Sequence, residues 1–227
     1  MKERIIKQFF LVLILIWAGA FGFTQSAAVQ KETSLVPGKL TLEAINESLA
    51  AHTITTGDFT QTKTLQTNGR KLVSTGNFIF CPEGILWDTK KPFPTSMIFT
   101  KDTMIQINAN GKKTVMSGKD NQIFANISGM LSSVFTGNTQ ELKKNFNCKL
   151  EEDSKGSWKI SLLPKDSTIA SVMKLLVLAG SCDEKSGAVL ESLQMTEMSD
   201  NTILYEFSNQ KYPKELTADE KQSFVTE

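Results

Sequence analysis

Residues 57–88 read GDFTQTKTLQTNGRKLVSTGNFIFCPEGILWD, and the spacing within this stretch decides the fold. Phe59 to Leu65 alternates coarsely, Asn68-Gly69 is a turn signal, and Leu72 to Phe80 is the next strand. Residues 59–80 therefore read as a β-hairpin. Phe78 and Phe80 share one face and Ile79 takes the other, because side chains alternate along a strand. Pro82-Glu83-Gly84 turns the chain into a short strand over Ile85–Asp88. Past Pro92 and Pro94, Ser96–Phe99, Thr103–Asn108 and Thr114–Met116 continue the pattern, divided by Lys101-Asp102 and Asn110-Gly111. Consecutive short strands with tight turns predict an antiparallel meander.

The period then changes. Ile123, Phe124, Ile127, Met130, Leu131, Val134 and Phe135 form one apolar stripe, which predicts a helix over 121–136. A short polar segment, QELKKNF, follows, and strands return at Cys148–Glu151 and Trp158–Leu163. Residues 169–180 are nearly all apolar and read as a short turn or helix, then a strand over Lys174–Leu178. Leu190–Met198 and Thr202–Phe207 form a last hairpin, and the charged residues 210–227 are expected on the surface. Upstream, Leu42, Ile45 and Leu49 at i, i+3 and i+7 predict an amphipathic helix over 41–52 with Thr41 as N-cap. One sheet of about ten strands must bury one face, and two striped helices are too few to cover both. The fold class is α+β: an incomplete antiparallel β-barrel, a strongly curved sheet, with helices packed as a lid in its concave face.

Composition narrows the function. The 227 residues are 40% hydrophobic and 22% charged, with 25 basic against 24 acidic side chains, so bulk electrostatics attract no nucleic acid. The single histidine, His52, falls in the last turn of the first helix, where its charge suits the helix dipole. One imidazole argues against Ser-His-Asp and Cys-His catalysis and His-rich zinc sites. No GxSxG, P-loop, GxGxxG or HExxH motif occurs. Cys81, Cys148 and Cys182 contain no CxxC pair; if a disulfide forms, Cys148–Cys182 is the expected one, and buried free thiols are the alternative. Lys2, Arg4 and Lys7 precede the apolar run 9–23, and Ala18-Gly19-Ala20 and Ser26-Ala27-Ala28 resemble cleavage sites. Residues 1–28 are thus expected to be a cleaved signal peptide, 29–40 a mature tail, and 41–227 a single exported domain. The 14 phenylalanines and 8 methionines offer large, adaptable apolar surface of the kind that suits flexible acyl chains.

The motifs also carry a family resemblance. Gly57-Asp58-Phe59-Thr60-Gln61 resembles the F-x-Q first strand of the LolA-type outer-membrane lipoprotein carriers. Gly76-Asn77-Phe78, Pro82 and Ile85-Leu86-Trp87, followed by Pro92, resemble their second and third strands, and the likeness covers roughly residues 40–210. It implies a cofactor-free periplasmic carrier that binds the acyl chains of lipoproteins and moves them towards the outer membrane. An inner-membrane release complex and an outer-membrane acceptor are the implied partners; the protein is expected to be a monomer that binds no nucleic acid. A lipid- or lipoprotein-sensing regulatory protein of the same fold is the alternative. The cavity is expected to be lined on the sheet by Phe59, Phe78, Phe80, Ile85, Trp87, Met97, Phe99 and Ile105. On the lid helix it is expected to be lined by Ile123, Phe124, Ile127, Met130 and Leu131. The family places a lid-latching arginine just before Pro82, where this chain has Cys81, so the lid is expected to be held by apolar contact alone.

Overall fold

A computed structural model describes residues 40–100, 103–117, 139–183 and 187–224. Its frame is one eleven-stranded antiparallel sheet. The first half is β1 (Thr55–Thr64), β2 (Lys71–Cys81), β3 (Gly84–Lys91), β4 (Thr95–Phe99), β5 (Thr103–Asn108) and β6 (Lys113–Ser117). The second half is β7 (Phe146–Glu152), β8 (Ser157–Pro164), β9 (Met173–Asp183), β10 (Gly187–Glu197) and β11 (Thr202–Lys211). The spatial order β6-β5-β4-β3-β2-β1-β11-β10-β9-β8-β7 joins two meanders through the first and last strands. The middle of the chain therefore supplies both edges, and the sheet is curved but unclosed.

Curvature has local causes. The register slips between Thr75 and Gly76, where β2 meets β3, and between Leu190 and Ser192, where β10 meets β9. Glycine stands opposite or within each slip because the neighbouring backbone comes too close for a side chain. A Cβ on Gly76 would lie 2.1 Å from the Asp88 carbonyl oxygen, and one on Gly180 would lie 1.9 Å from that of Val189. Such bulges bend the strand and increase its twist, which is how a flat meander becomes a trough.

Among the described residues four helices accompany the sheet: α1 (Leu42–Ala50), α2 (Thr139–Asn145), α3 (Ser167–Ala170) and α4 (Ala218–Ser223). Thr41 caps α1, accepting from the Ala44 N–H as its spacing predicts. Ile45 buries its side chain in the main core, and Ser48 Oγ accepts from the Ala188 N–H of β10 at 2.8 Å. The segment TQELKKN forms α2, and Phe146, the last residue of the polar stretch QELKKNF, begins β7; the helix's single apolar residue, Leu142, did not signal it and is buried in the main core. Lys143 donates to Glu43 at 2.5 Å, ties α2 to α1, and holds the Glu43 carboxyl below its ordinary range. Residues 167–183 form α3 and then the eleven-residue β9, longer at both ends than the expected 174–178. The C-terminal segment is not wholly superficial: Leu216 and Phe224 are buried against the sheet. His52 stacks on Tyr212 with ring centroids 3.7 Å apart, a contact with the chain's own C-terminal segment. The lid helix expected over 121–136 lies outside the described residues.

The three cysteines are free thiols. Cys148 opposes Leu162, which opposes Leu176, and Cys182 lies six residues farther along β9. At about 3.3 Å per residue that separates Cys148 from Cys182 by roughly 20 Å. A disulfide needs Cα atoms within about 7 Å, so the expected bridge is ruled out by strand order.

Candidate apolar binding face

Residues directly opposite in an antiparallel pair point to the same face, so the register shows which side chains gather. Phe80, Ile85, Phe99, Met104 and Met116 form one such row across β2 to β6. Tyr205, Leu193, Leu178, Ile160 and Leu150 form another from β11 to β7. Ile203, Met195, Leu176, Leu162 and Cys148 run parallel to it. All of these belong to or pack against one hydrophobic cluster that reaches every strand. Ile45 of α1 and Leu142 of α2 join the same cluster, which identifies this face as the side that α1 and α2 cover.

At the junction of the two meanders the face becomes aromatic. Phe59 and Trp87 stack at 4.2 Å although β2 separates their strands. The β2 residue opposite Phe59 is Gly76, which has no side chain to stand between them. Trp87 meets Tyr205 edge-on at 5.2 Å, Phe78 meets Phe207 edge-on at 5.3 Å, and Phe78 lies 4.7 Å from Phe80. Offset and edge-to-face pairs of this kind add about 0.5–1.5 kcal/mol beyond burial. The indole N–H of Trp87 is buried here without an acceptor among the described residues. A buried donor left unpaired costs about 1–3 kcal/mol, so its place in an otherwise apolar surface calls for a reason.

Seven of the eight sheet residues expected in the cavity lie on this face: Phe59, Phe78, Phe80, Ile85, Trp87, Met97 and Phe99. Ile105 does not. It opposes Ile98, whereas Phe99 opposes Met104, so Met104 takes the inner place and Ile105 points outward. The outward row is Ile79, Leu86, Ile98, Ile105 and Val115, partly covered by Leu216 and Phe224. The five lid residues Ile123, Phe124, Ile127, Met130 and Leu131 lie outside the described residues.

Position 81 also differs from expectation. Cys81 packs in the outward cluster with Ile79 and Ile98, and its Sγ lies 3.4 Å from the Gly84 carbonyl oxygen. Burial, reinforced by Glu83, pushes its thiol up to about 12, so it stays protonated and unreactive at neutral pH. An arginine in its place would be buried in apolar surroundings on the side away from α1 and α2.

Two polar features lay beyond sequence reasoning. Lys63 and Glu197 form a buried ion pair at 2.8 Å, with side chains 6% and 14% exposed. Lys63 opposes Ile203 and Glu197 opposes Met173, both fully buried, so the pair closes one end of the apolar face. Burial, and secondarily the Glu197 carboxylate, push the Tyr205 phenol above its ordinary range. On the outer side, an open pocket of about 350 Å³ is lined by Asp58, Asn77, Asp88, Asn209, Lys211 and Glu220 among others. Its carboxylates are engaged locally: Asp58 accepts from Asn77 and, at 2.7 Å, from Asn209, and Asp88 accepts from Ser96 at 2.8 Å. No group of three His, Cys, Asp or Glu side chains is placed to hold a metal among the described residues. Nor is any described helix long and apolar enough to cross a membrane.

No curated protein sequence matches the chain. A DUF1329 family protein from Desulfovibrio piger is 12% identical with a TM-score of 0.45, over 77% of this chain and 92% of that one. A LolA superfamily protein from Nitrosomonas europaea is 8% identical with a TM-score of 0.43, over 83% of this chain and 99% of that one. The family described as "Outer membrane lipoprotein carrier protein LolA" matches residues 51–222, from the loop before β1 through most of α4, and the chain belongs to that family.

Proposed function

We propose that this protein is a periplasmic carrier, not an enzyme, that takes up the acyl chains of lipoproteins on the apolar face and releases them towards the outer membrane. Residues 1–28 are its export signal in this reading. The observation that carries the proposal is the continuity of that face: apolar rows cross all eleven strands of a sheet that remains open. Each buried CH₂ contributes about 0.8 kcal/mol, so two or three fully enclosed acyl chains would bind too tightly to leave. An unclosed trough covers its guest in part, which keeps release possible. Among the described residues Trp87 Nε1 is a donor in this face without a partner, and an ester or amide carbonyl at the head of an acyl chain would supply one.

A charge at Ile85, which is fully buried, would test folding rather than binding. Phe80 is the better probe, because it is only partly buried at the margin of the aromatic group. Titration with a synthetic triacylated lipopeptide should show saturable binding to the wild type. Phe80→Asp should weaken it at least about tenfold while the variant melts as a folded protein, since a carboxylate then faces the entering hydrocarbon. Wild-type protein that fails to bind, or a folded Phe80→Asp that binds equally well, would argue against the proposal.

A further inference from the structure

Successive antiparallel strands place alternate turns at the same end of a sheet. Residues 65–70 join β1 to β2, 92–94 join β3 to β4, and 109–112 join β5 to β6, so these three turns share one end. With strands about 4.8 Å apart they spread over roughly 20–25 Å. Arg70, Lys71, Lys91 and Lys112 stand on or beside them, all exposed. No carboxylate lies within ion-pair distance of any of the four among the described residues. The turns themselves contain neither Asp nor Glu. The carboxylates nearby are occupied: Asp88 holds Lys90 and Ser96, and Asp200 in the β10–β11 turn holds Lys174 at 2.6 Å.

Apolar side chains stand among these cations. Phe93 is 80% exposed at the tip of the β3–β4 turn, between Pro92 and Pro94, whose rings restrict the backbone that carries it. Leu72 and Val73, at the start of β2, are 43% and 51% exposed. Single exposed apolar residues need no explanation. A rigidly mounted phenyl ring among four unpaired cations at one end of the molecule is a different pattern, that of side chains used at the interface of an anionic bilayer.

We propose that this end of the sheet docks reversibly on an anionic membrane surface, with Arg70, Lys71, Lys91 and Lys112 meeting phospholipid headgroup phosphates and Phe93 entering the boundary between headgroups and acyl chains. The charge pattern favours a bilayer over a protein partner. The cations are spread along separate turns over the width of several strands, and Phe93 projects from one of them at 80% exposure, an arrangement that matches a laterally extended anionic surface. The docking stands apart from acyl-chain binding, because none of these residues belongs to the apolar face.

Co-sedimentation of the full chain with vesicles tests it. The vesicles are phosphatidylcholine alone, or the same lipid with roughly a third phosphatidylglycerol, where each cation near the surface is worth about fivefold in partition. The wild type should bind the anionic vesicles at least about tenfold better than the neutral ones, and raising salt should weaken that binding. Lys91→Glu with Lys112→Glu should reduce binding at least about tenfold, and the Lys91→Gln with Lys112→Gln pair should do so to a smaller degree. Phe93→Ser should lower binding several-fold yet keep the preference for anionic lipid. Every substitution is at an exposed position, so thermal melts should match the wild type. Equal binding to both vesicle types, or charge variants that bind unchanged, would overturn the proposal. So would retention by a purified protein partner without sedimentation on either vesicle.

Discussion

Replacing Gly180 with alanine is expected to destabilise the protein by about 3 kcal/mol or more, the upper range for forcing atoms into a packed interior. The added Cβ would lie 1.9 Å from the Val189 carbonyl oxygen and 2.6 Å from the Trp158 ring. Neither neighbour yields cheaply. Val189 Cα pairs with Ser181 beside the β10 bulge, and the Trp158 indole is anchored by donating to the Ser181 carbonyl at 3.1 Å. Gly69 provides the control. Its φ of +68° is strained for alanine, but nothing lies within 4 Å of its Cβ, so Gly69→Ala should cost only about 1–2 kcal/mol. Urea melts of the two variants measure the difference. A Gly180→Ala protein within about 1 kcal/mol of wild type would contradict the claim that close backbone approach at this bulge shapes the trough.

The second large effect is expected at the buried ion pair. Lys63→Met should cost about 3 kcal/mol, because it strands Glu197 as an uncompensated charge at the end of an apolar face. Glu197 keeps a hydrogen bond from Asn201 at 2.8 Å, which places the loss at the lower end of the range for broken buried pairs. Changing both partners together, Lys63→Met with Glu197→Leu, should recover most of that loss, since apolar replacements of a buried pair are often neutral or better. The cycle is read by denaturant unfolding. A single substitution that costs less than about 1 kcal/mol would show the pair to be as weak as a surface one.

The parts of this fold that sequence revealed are those with one buried face or a turn of distinctive chemistry. Asn68-Gly69 announced the β1–β2 turn, and Gly69 adopts the positive φ that such a turn uses. Phe78 and Phe80, and Ile85 and Trp87, fell on the inner face as their parity required. Parity failed at Ile105 for a physical reason. β4 and β5 bury both faces, so MIF and MIQI are apolar in consecutive positions and carry no alternation to read. The pairing of β4 with β5 sets which residue faces in, and it puts Met104 inside. Lys63 was equally hidden: in FTQTKT it follows the inward parity of Phe59 but looks like an exposed cation, and its partner is 134 residues away. Cys81 followed strand parity and not family precedent, since it lies on the Ile79 face. Helix α2 was missed because a seven-residue helix with one buried leucine leaves no periodic stripe.

The central claim is that the apolar face carries acyl chains, and mass spectrometry of the protein recovered from the periplasm, under conditions that preserve bound lipid, tests it most directly. The account predicts co-purified acylated protein or free lipid, depleted in the Phe80→Asp variant. A trough that is consistently empty, in protein folded and exported normally, would contradict it.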